Sequence, residues 1–374
     1  MINRLPMVFA KGSPLMDNIA IVAITKHGVE LIRELRTSMP KADLYYMKKF
    51  ERGDETERNI HLFEGSIRLL LPDMFKKYDG IIMVISLGAV VRMIAPILID
   101  KKTDPAIVVI DDKGEFVISV LSGHIGGAND LTREVASYIS ATPVITTASD
   151  VQKTIPVDIF GREFGWVVED FSNVTPVSAA VVNEEPLLIL QESGERTWWK
   201  HERSLPKQMK VVQSYEEVVD IDFNAALVIT HRILTKEQEQ KLLTNGVLYR
   251  PKSVFLGIGC NRGTCMEEIK SVIYETLKEQ QISIHSVKSI ATIDLKKDEE
   301  GLIQVCGEFG WEFLYYTAEQ LNAISIKNPS ETVYKFTGAY GVSEPAALLA
   351  AGVDELFLEK KKSGNVTISI AIKK

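Results

Sequence analysis

Short apolar runs alternate with amphipathic stretches along the first 150 residues of the chain. Ile19–Ile24 is an apolar, β-branched run typical of a buried strand, and His27–Ser38 after it carries apolar residues at helical spacing. Gly80–Ile85 and Ala89–Ile97 repeat the same order. Strands that alternate with helices in this way predict βαβ units and a mostly parallel sheet.

Two segments of this region carry a different pattern. The runs Ile107–Ile110 and Phe116–Val120 are joined by Asp111–Gly114, which is a hairpin signal and predicts one antiparallel pair. Ile60–Leu71 has amphipathic spacing and stops before Pro72, so it predicts a helix.

The pattern changes twice further along the chain. After residue 157, strand-like runs are separated by polar stretches such as Gln191–Gln208. After Arg250 and Pro251 the strand and helix signals resume, and Asp354–Lys360 with Val366–Ile372 gives a second hairpin signal. We therefore predict an α/β protein of three domains: a mostly parallel N-terminal domain over 15–150, a small α/β middle domain over 151–250 and a separate α/β C-terminal domain over 251–374.

Composition and charge narrow the function classes. The 374 residues are 45% hydrophobic and 25% charged, which is the balance of an ordinary globular protein of two or three domains. Lys and Arg total 43 against 50 Asp and Glu, for a net charge of -7. This acidic balance disfavours a nucleic-acid binder. It still permits a local basic cleft that binds an anionic small molecule.

The cysteines and the N-terminus indicate where the protein is found. Cys260, Cys265 and Cys306 cannot form a disulfide framework, and a leftover thiol fits a reducing compartment. Met1–Gly12 has no apolar segment of signal-peptide length. Gly80–Ile99, the most membrane-like stretch, is broken by an arginine, a glycine and a proline. We therefore expect a soluble cytoplasmic protein without a membrane partner.

Four glycine-rich segments lie at predicted strand–helix junctions, where open parallel sheets bind ligands. Ser86–Arg92 contains Gly88 at a turn, so its free N–H groups and Arg92 favour an anion. Leu121–Asp130 places three glycines around His124, whose unperturbed pKa suits acid–base catalysis near neutral pH. The competing interpretations are an ordinary turn for the first segment and a structural histidine for the second.

The other two segments lie in the predicted C-terminal domain. Leu256–Thr264 has Gly-x-Gly after a strand, but the third glycine is displaced, so a carboxylate-binding turn with Arg262 fits better than a dinucleotide site. In Thr337–Ala346, Ser343 has the properties of a helix N-cap. Glu344 follows it in the first turn, where it suits the helix dipole. A catalytic role for Glu344 is the alternative.

Together these segments resemble the CbiG family of anaerobic cobalamin biosynthesis, the cobalt-precorrin-5A hydrolases. The resemblance covers most of the chain and is densest from Gly88 to Asp150, which includes Leu-Ser-Gly-His-Ile-Gly-Gly-Ala-Asn. In the predicted C-terminal domain it rests on Gly257–Thr264 and Gly341–Ala347. Asn261 stands where the family usually has a basic residue.

The resemblance implies hydrolysis of the ring-A δ-lactone of cobalt-precorrin-5A with release of acetaldehyde, which gives cobalt-precorrin-5B. Water must be activated toward the lactone, and we expect His124 to be the general base. A ring carbon must then be protonated, for which Glu344 and Asp150 are candidates. Backbone N–H groups of the glycine loop would stabilise the oxyanion. The matching segments imply substrate contacts by Gly88, Arg92, Lys101, Lys102, Ser122, Gly123, Gly126, Gly127, Asn129, Gly259, Arg262, Gly263, Thr264 and Ser343.

The resemblance also implies the ligands. Cobalt arrives inside the substrate, so no metal or other cofactor bound by the protein is expected. The expected partner is an anionic cobalt-tetrapyrrole, with a homodimer or transient contacts to neighbouring pathway enzymes as further options. Two other functions stay open at this point: a corrinoid carrier or chaperone without turnover, and a nucleotide-dependent oxidoreductase that uses the Gly257–Gly259 turn.

Overall fold

The computed structural model describes Met16 and residues 18–327 and 329–373. Met1–Gly12, for which the sequence predicts no signal peptide, and the predicted domain start at residue 15 lie outside the described residues. Those up to Phe160 form one compact unit, and those from Gly161 onward form another. Within the described ranges, no helix is both long and apolar enough to cross a membrane.

The first unit is a seven-stranded sheet with helices on both faces. Its strands are β1 (Ile19–Ala23), β2 (Asp43–Met47), β3 (Ile60–Phe63), β4 (Gly80–Val84), β5 (Ala106–Ile110), β6 (Phe116–Leu121) and β7 (Thr142–Val144). Its α-helices are α1 (Lys26–Ser38), α2 (Leu71–Lys77), α3 (Leu87–Ile94), α4 (Ala128–Ile139) and α5 (Ala148–Gln152).

The direction of the strands in this sheet decides which loops meet. The order is β3-β2-β1-β4-β5-β6-β7, and every neighbouring pair is parallel except β5 and β6, which are antiparallel. The predicted first hairpin is therefore confirmed. Because β6 and β7 run opposite to the other five strands, their carboxyl ends lie at the edge where β1 to β5 begin.

The helix predicted over Ile60–Leu71 is wrong. Ile60–Phe63 is a strand that pairs in parallel with β2, and its two end residues are buried. A 3₁₀ turn over Ile67–Leu69 follows, begun by the Ser66 side chain, which accepts a hydrogen bond from Arg68 N–H. Pro72 lies in the first turn of α2, where its missing N–H costs nothing, so it begins a helix and does not end one.

The second unit contains two five-stranded sheets. The strands of its first sheet are β8 (Val167–Val168), β9 (Leu187–Gln191), β10 (Met209–Val212), β11 (Ala225–Ile229) and β12 (Gly246–Arg250). These strands are ordered β10-β9-β11-β12-β8, with only β8 antiparallel to its neighbour. The helices α6 (Val174–Val182) and α7 (Lys236–Leu243) accompany this sheet.

The last sheet contains the C-terminal hairpin. Its strands are β13 (Val254–Cys260), β14 (Val287–Ile293), β15 (Glu312–Tyr316), β16 (Leu358–Ser363) and β17 (Val366–Ile372), in the order β15-β14-β13-β17-β16. Its helices are α8 (Met266–Glu279), α9 (Glu300–Phe309), α10 (Ala318–Asn322), α11 (Glu331–Thr337) and α12 (Ser343–Ala351). β13 to β15 are parallel, and β16 and β17 form the predicted second hairpin. The α/β fold class with a mostly parallel N-terminal sheet is thus confirmed.

Candidate active site

The site in the first unit is built where β6 and β7 end. The loop after β6 contains His124, and α5, which follows β7, contains Asp150. The two strands are parallel neighbours joined by α4, so the segments that follow them emerge at the same edge of the sheet. This is the position at which parallel strands bind ligands.

His124 lies between two carboxylates. Its Nε2 is 2.8 Å from Oδ2 of Asp150, and its Nδ1 is 2.9 Å from Oδ1 of Asp158. Ser149 Oγ is also 3.1 Å from Nε2. The side chain of His124 is only 14% exposed, as is that of Asp158. The imidazole is therefore held at both nitrogens by acceptors of negative charge.

This arrangement changes the expected role of His124. Burial by itself would lower the pKa of the imidazole, but the hydrogen bonds and charges of Asp150 and Asp158 outweigh it and raise the pKa to about 9. The ring is therefore an imidazolium at neutral pH, without a lone pair to accept a proton. The geometry favours a cationic His124 over the general base that sequence analysis expects.

Asp150 is held in its charged form. Burial would raise the pKa of this carboxyl, but hydrogen bonds and charges from His124 and Arg133 lower it below its usual range. Oδ1 accepts from Arg133, and Oδ2 accepts from His124 and, at 2.9 Å, from Asn129 Nδ2. A carboxylate with these donors is a poor proton donor, so the geometry does not favour the acid role considered for Asp150.

Asn129 orients Asp150 through a buried amide. Its side chain also donates to Thr147 Oγ1 at 3.0 Å and accepts from Ser119 Oγ at 2.7 Å, and the residue is 2% exposed. These groups occupy its hydrogen-bonding atoms inside the protein. The structure therefore supports a positioning role for Asn129 more than the substrate contact predicted for it.

The glycine loop before α4 is shaped by close backbone approaches. Ser122 has a φ of 57°, and its Oγ donates to the Asp104 carbonyl at 2.9 Å. A Cβ on Gly126 would lie 2.4 Å from Ser122 Cβ, so only glycine fits there. Gly127 N–H donates to the His124 carbonyl. In the described part of the chain, the N–H groups of Gly123 and Gly126 form no hydrogen bond, so these two remain candidate oxyanion donors.

The Gly88 turn is not brought to His124. Gly88 lies at the start of α3, just beyond the carboxyl end of β4, whereas the His124 loop lies at the opposite edge of the sheet. The length of β4 separates the two edges by about 16 Å. Arg92 is exposed on α3, which runs back along β4.

Lys101 and Lys102 lie nearer to the His124 loop. Both side chains are exposed in the segment between α3 and β5, which returns to the edge where β5 begins. The bond from Ser122 to the Asp104 carbonyl fastens this segment to the glycine loop. Lys101 and Lys102 are therefore better placed than Gly88 to contact a substrate that is bound at the His124 loop.

The C-terminal donors predicted to bind a substrate carboxylate are held by the chain's own acidic residues. Arg262 donates to Asp298 at 2.6 Å and to the Leu295 carbonyl at 2.7 Å. Gly263 N–H donates to Glu299 Oε1 at 2.7 Å. Burial would raise the pKa of Glu299, but bonds from Lys296 and from Gly263 lower it. The Glu299 carboxylate thus already occupies the position where a substrate carboxylate was expected to bind.

The neighbouring predicted contacts also have internal partners. The Thr264 hydroxyl donates to the Asn261 carbonyl at 2.8 Å, and the Gly259 carbonyl accepts from Thr367 Oγ1 at 3.1 Å. Gly257 faces α12, and a Cβ there would lie 1.8 Å from the Ser343 carbonyl oxygen. This helix–strand contact accounts for Gly257 without a dinucleotide.

The structure places Ser343 and Glu344 inside the C-terminal sheet-and-helix packing. Val342 is the N-cap of α12, and the Ser343 hydroxyl instead lies 3.0 Å from that of Ser369. Glu344 is 3% exposed, and its Oε1 accepts from Lys360 N–H at 3.2 Å. The predicted cap at Ser343 is therefore wrong, because its hydroxyl bonds to the sheet and not to the helix N-terminus.

Sequence reasoning missed Asp158, Arg133 and Ser149. Asp158 lies in an irregular segment with no glycine cluster or strand end beside it, and it is 34 residues from its partner His124. Arg133 is on α4, one turn after Asn129, and that helical spacing is the only signal that could have pointed to it.

Comparison with known proteins gives consistent family matches along the chain. The family model "Cobalamin synthesis G N-terminal" matches residues 70–150. "Cobalamin biosynthesis central region" matches 155–251, and "Cobalamin synthesis G C-terminus" matches 254–371. The three matches follow one another in order.

Curated relatives extend the same similarity. A cobalt-precorrin-5A hydrolase from Priestia megaterium is 64% identical over 353 residues, 94% of each chain. Another with that name, from Salmonella typhimurium, is 30% identical and covers 95% of this chain and 98% of its own. Protein CobE from a Sinorhizobium species is 31% identical over 119 residues, 31% of this chain and 77% of its own.

Proposed function

The chain belongs to the cobalamin synthesis G family, and we propose that it is a cobalt-precorrin-5A hydrolase. It hydrolyses the ring-A δ-lactone of cobalt-precorrin-5A and releases acetaldehyde, giving cobalt-precorrin-5B in anaerobic cobalamin biosynthesis. The observation that carries this function is the 64% identity to a protein of that name over 94% of both chains.

The reaction consumes one water molecule and breaks two bonds, the lactone carbon–oxygen bond and a carbon–carbon bond to the macrocycle. The water oxygen bonds to the lactone carbonyl carbon, and collapse of the tetrahedral intermediate breaks the bond to the lactone ring oxygen. The alkoxide so formed becomes the carbonyl of acetaldehyde as its carbon–carbon bond to the macrocycle breaks. The ring carbon keeps that electron pair and gains a proton. The active site must therefore remove one proton, supply one proton and stabilise an oxyanion.

In this proposal His124 supplies positive charge. A fixed imidazolium in a partly desolvated site stabilises negative charge that develops on the lactone oxygen. The N–H groups of Gly123 and Gly126 supply hydrogen bonds to the same oxygen. Lys101 and Lys102 bind peripheral carboxylates of the substrate, an assignment supported by their exposure beside the glycine loop.

The alternative functions are less well supported. The relatives that span the chain are named hydrolases, which does not favour a corrinoid carrier. The packing of Gly257 against α12 removes the main argument for a nucleotide site.

Partners and location complete the proposal. The substrate is an anionic cobalt-tetrapyrrole, and cobalt belongs to that substrate, so no bound cofactor is proposed. A homodimer or contacts with neighbouring pathway enzymes stay predictions. We place the protein in the cytoplasm, which its three free cysteines support.

The proposal is tested by trapping acetaldehyde from the purified protein with enzymatically made cobalt-precorrin-5A. The wild type should release one acetaldehyde per substrate. His124→Gln should lower kcat by about 10² or more, since it removes the cation that lies between Asp150 and Asp158. The matched control is His27→Gln, because His27 is an exposed histidine of the same unit. Substrate binding by the wild type without acetaldehyde would identify a carrier.

A further inference from the structure

Neither His124 nor Asp150 is free to remove a proton from water. Both ring nitrogens of His124 lie within 2.9 Å of carboxylate oxygens. Both oxygens of Asp150 accept hydrogen bonds, from Arg133 on one side and from His124 and Asn129 on the other. Hydrolysis nevertheless needs a base, so another group must provide it.

Asp158 differs from Asp150 in its hydrogen bonding. Its Oδ1 is bound to His124 Nδ1 at 2.9 Å, while its Oδ2 has no hydrogen-bond partner within the described ranges. The side chain is 14% exposed, so water can reach it although it is largely buried. A carboxylate fixed at one oxygen and open at the other has the geometry of a general base.

His124 supports this role by orienting the carboxylate. Asp150 holds Nε2, and Asn129 and Arg133 in turn hold Asp150, so the imidazole has a fixed direction. The chain of contacts ends at Asp158. The sequence signals of the glycine loop therefore lead to His124, and through its Nδ1 to Asp158, which has no such signal of its own.

We propose that Asp158 is the general base of the hydrolysis and takes a proton from the attacking water through Oδ2. This inference rests on the proposed hydrolase function. As the water oxygen bonds to the lactone carbonyl carbon, its proton passes to Asp158 and the carbonyl electron pair moves to oxygen. The protons balance, because the water loses one proton to Asp158 and the ring carbon gains one when acetaldehyde leaves.

The test measures kcat and KM for acetaldehyde release in Asp158 variants. Asp158→Asn should lower kcat by about 10²–10⁴ and leave KM within about threefold, since an amide accepts a hydrogen bond but does not take a proton. Added formate should restore part of kcat in Asp158→Ala, because it supplies a carboxylate in the space left open. Asp73→Asn, at an exposed position on α2, is the control and should match the wild type.

Two results would overturn the inference. One is an Asp158→Asn enzyme with kcat within threefold of the wild type. The other is an Asp158→Ala enzyme that unfolds at the wild-type midpoint, lacks activity and gains nothing from formate, which would make Asp158 a positioning residue. Absence of acetaldehyde from the wild type itself would instead reject the proposed function and this inference with it.

Discussion

His124 illustrates how neighbours decide the chemistry of a residue. An isolated histidine titrates near neutral pH, which is why sequence reasoning favours it as a base. Two carboxylates at hydrogen-bond distance stabilise the protonated ring, and Arg133 balances the second negative charge through Asp150. The residue type indicated an acid–base role for His124, but its protonation state depends on side chains distant in sequence.

The raised pKa of His124 predicts a pH-dependent stability. A group whose pKa is higher in the folded protein stabilises it fully below the unfolded pKa of 6.5 and loses that effect as pH rises through the folded value of about 9. The shift corresponds to on the order of 3 kcal/mol. Urea unfolding of the wild type and of His124→Gln should therefore show the largest difference near pH 6 and a smaller one above pH 9.

Nuclear magnetic resonance of the histidine side chains provides an independent check. The His124 ring should titrate with a midpoint near pH 9. A midpoint for His124 near 6.5 would contradict the charged-site interpretation.

At the residue scale, the sequence points to a position where chemistry and local pattern coincide. His124 stands among three glycines after an apolar run, and both features are visible in the sequence. Asp158 has no such pattern, and it becomes significant only through its contact with His124. Arg262 has the right chemistry, but folding supplies it with Asp298 as an internal partner.

At the scale of elements, the reversed direction of β6 separates the predicted ligand-binding loops of the N-terminal sheet. The turn at Gly88 and the loop at His124 both follow strands, so sequence reasoning treats them as equivalent. β6 is antiparallel to β5, and this places the two loops at opposite edges of one sheet. A hairpin signal in the sequence predicted that reversal, but its consequence for the site depends on the strand order.

The contact of α12 with β13 gives a prediction at the same scale. Gly257→Ala should destabilise the protein by about 3 kcal/mol, because the new Cβ would lie 1.8 Å from the Ser343 carbonyl oxygen and the helix must move. Gly307→Ala is the matched control, since nothing lies within 4 Å of that position on α9.

Urea unfolding measures both substitutions. The control should be neutral or more stable by up to about 1 kcal/mol, as alanine favours a helix more than glycine does. Equal stability of Gly257→Ala and the wild type would show that α12 does not require the close approach.

At the scale of the whole molecule, the C-terminal sheet has its own core. Its main cluster of buried residues lies within 254–372. The cluster includes one face of α8 and residues of the strands beside β13, such as Ile290 and Ile368. A chain of about 120 residues can bury enough apolar surface to fold alone.

We therefore predict that residues 251–374 fold as an isolated fragment. The fragment should unfold cooperatively in urea and give dispersed amide resonances. A second fragment that begins at residue 264 lacks β13, which lies between β14 and β17, and should not fold. Non-cooperative unfolding of the longer fragment would indicate that it needs the preceding sheet.

The sequence by itself determined the α/β class, both hairpins, the glycine loop around His124 and the family, because each depends on residues close together in the chain. The tertiary structure alone decided that Ile60–Phe63 is a strand, since the parallel pairing with β2 overrides the helical spacing of its apolar residues. It also decided which donors find internal carboxylates and which ionisable groups surround His124. Charge and hydrogen bonding act through space, so the protonation state of His124 and the open oxygen of Asp158 arise only when β6, β7 and the segment after α5 are brought together.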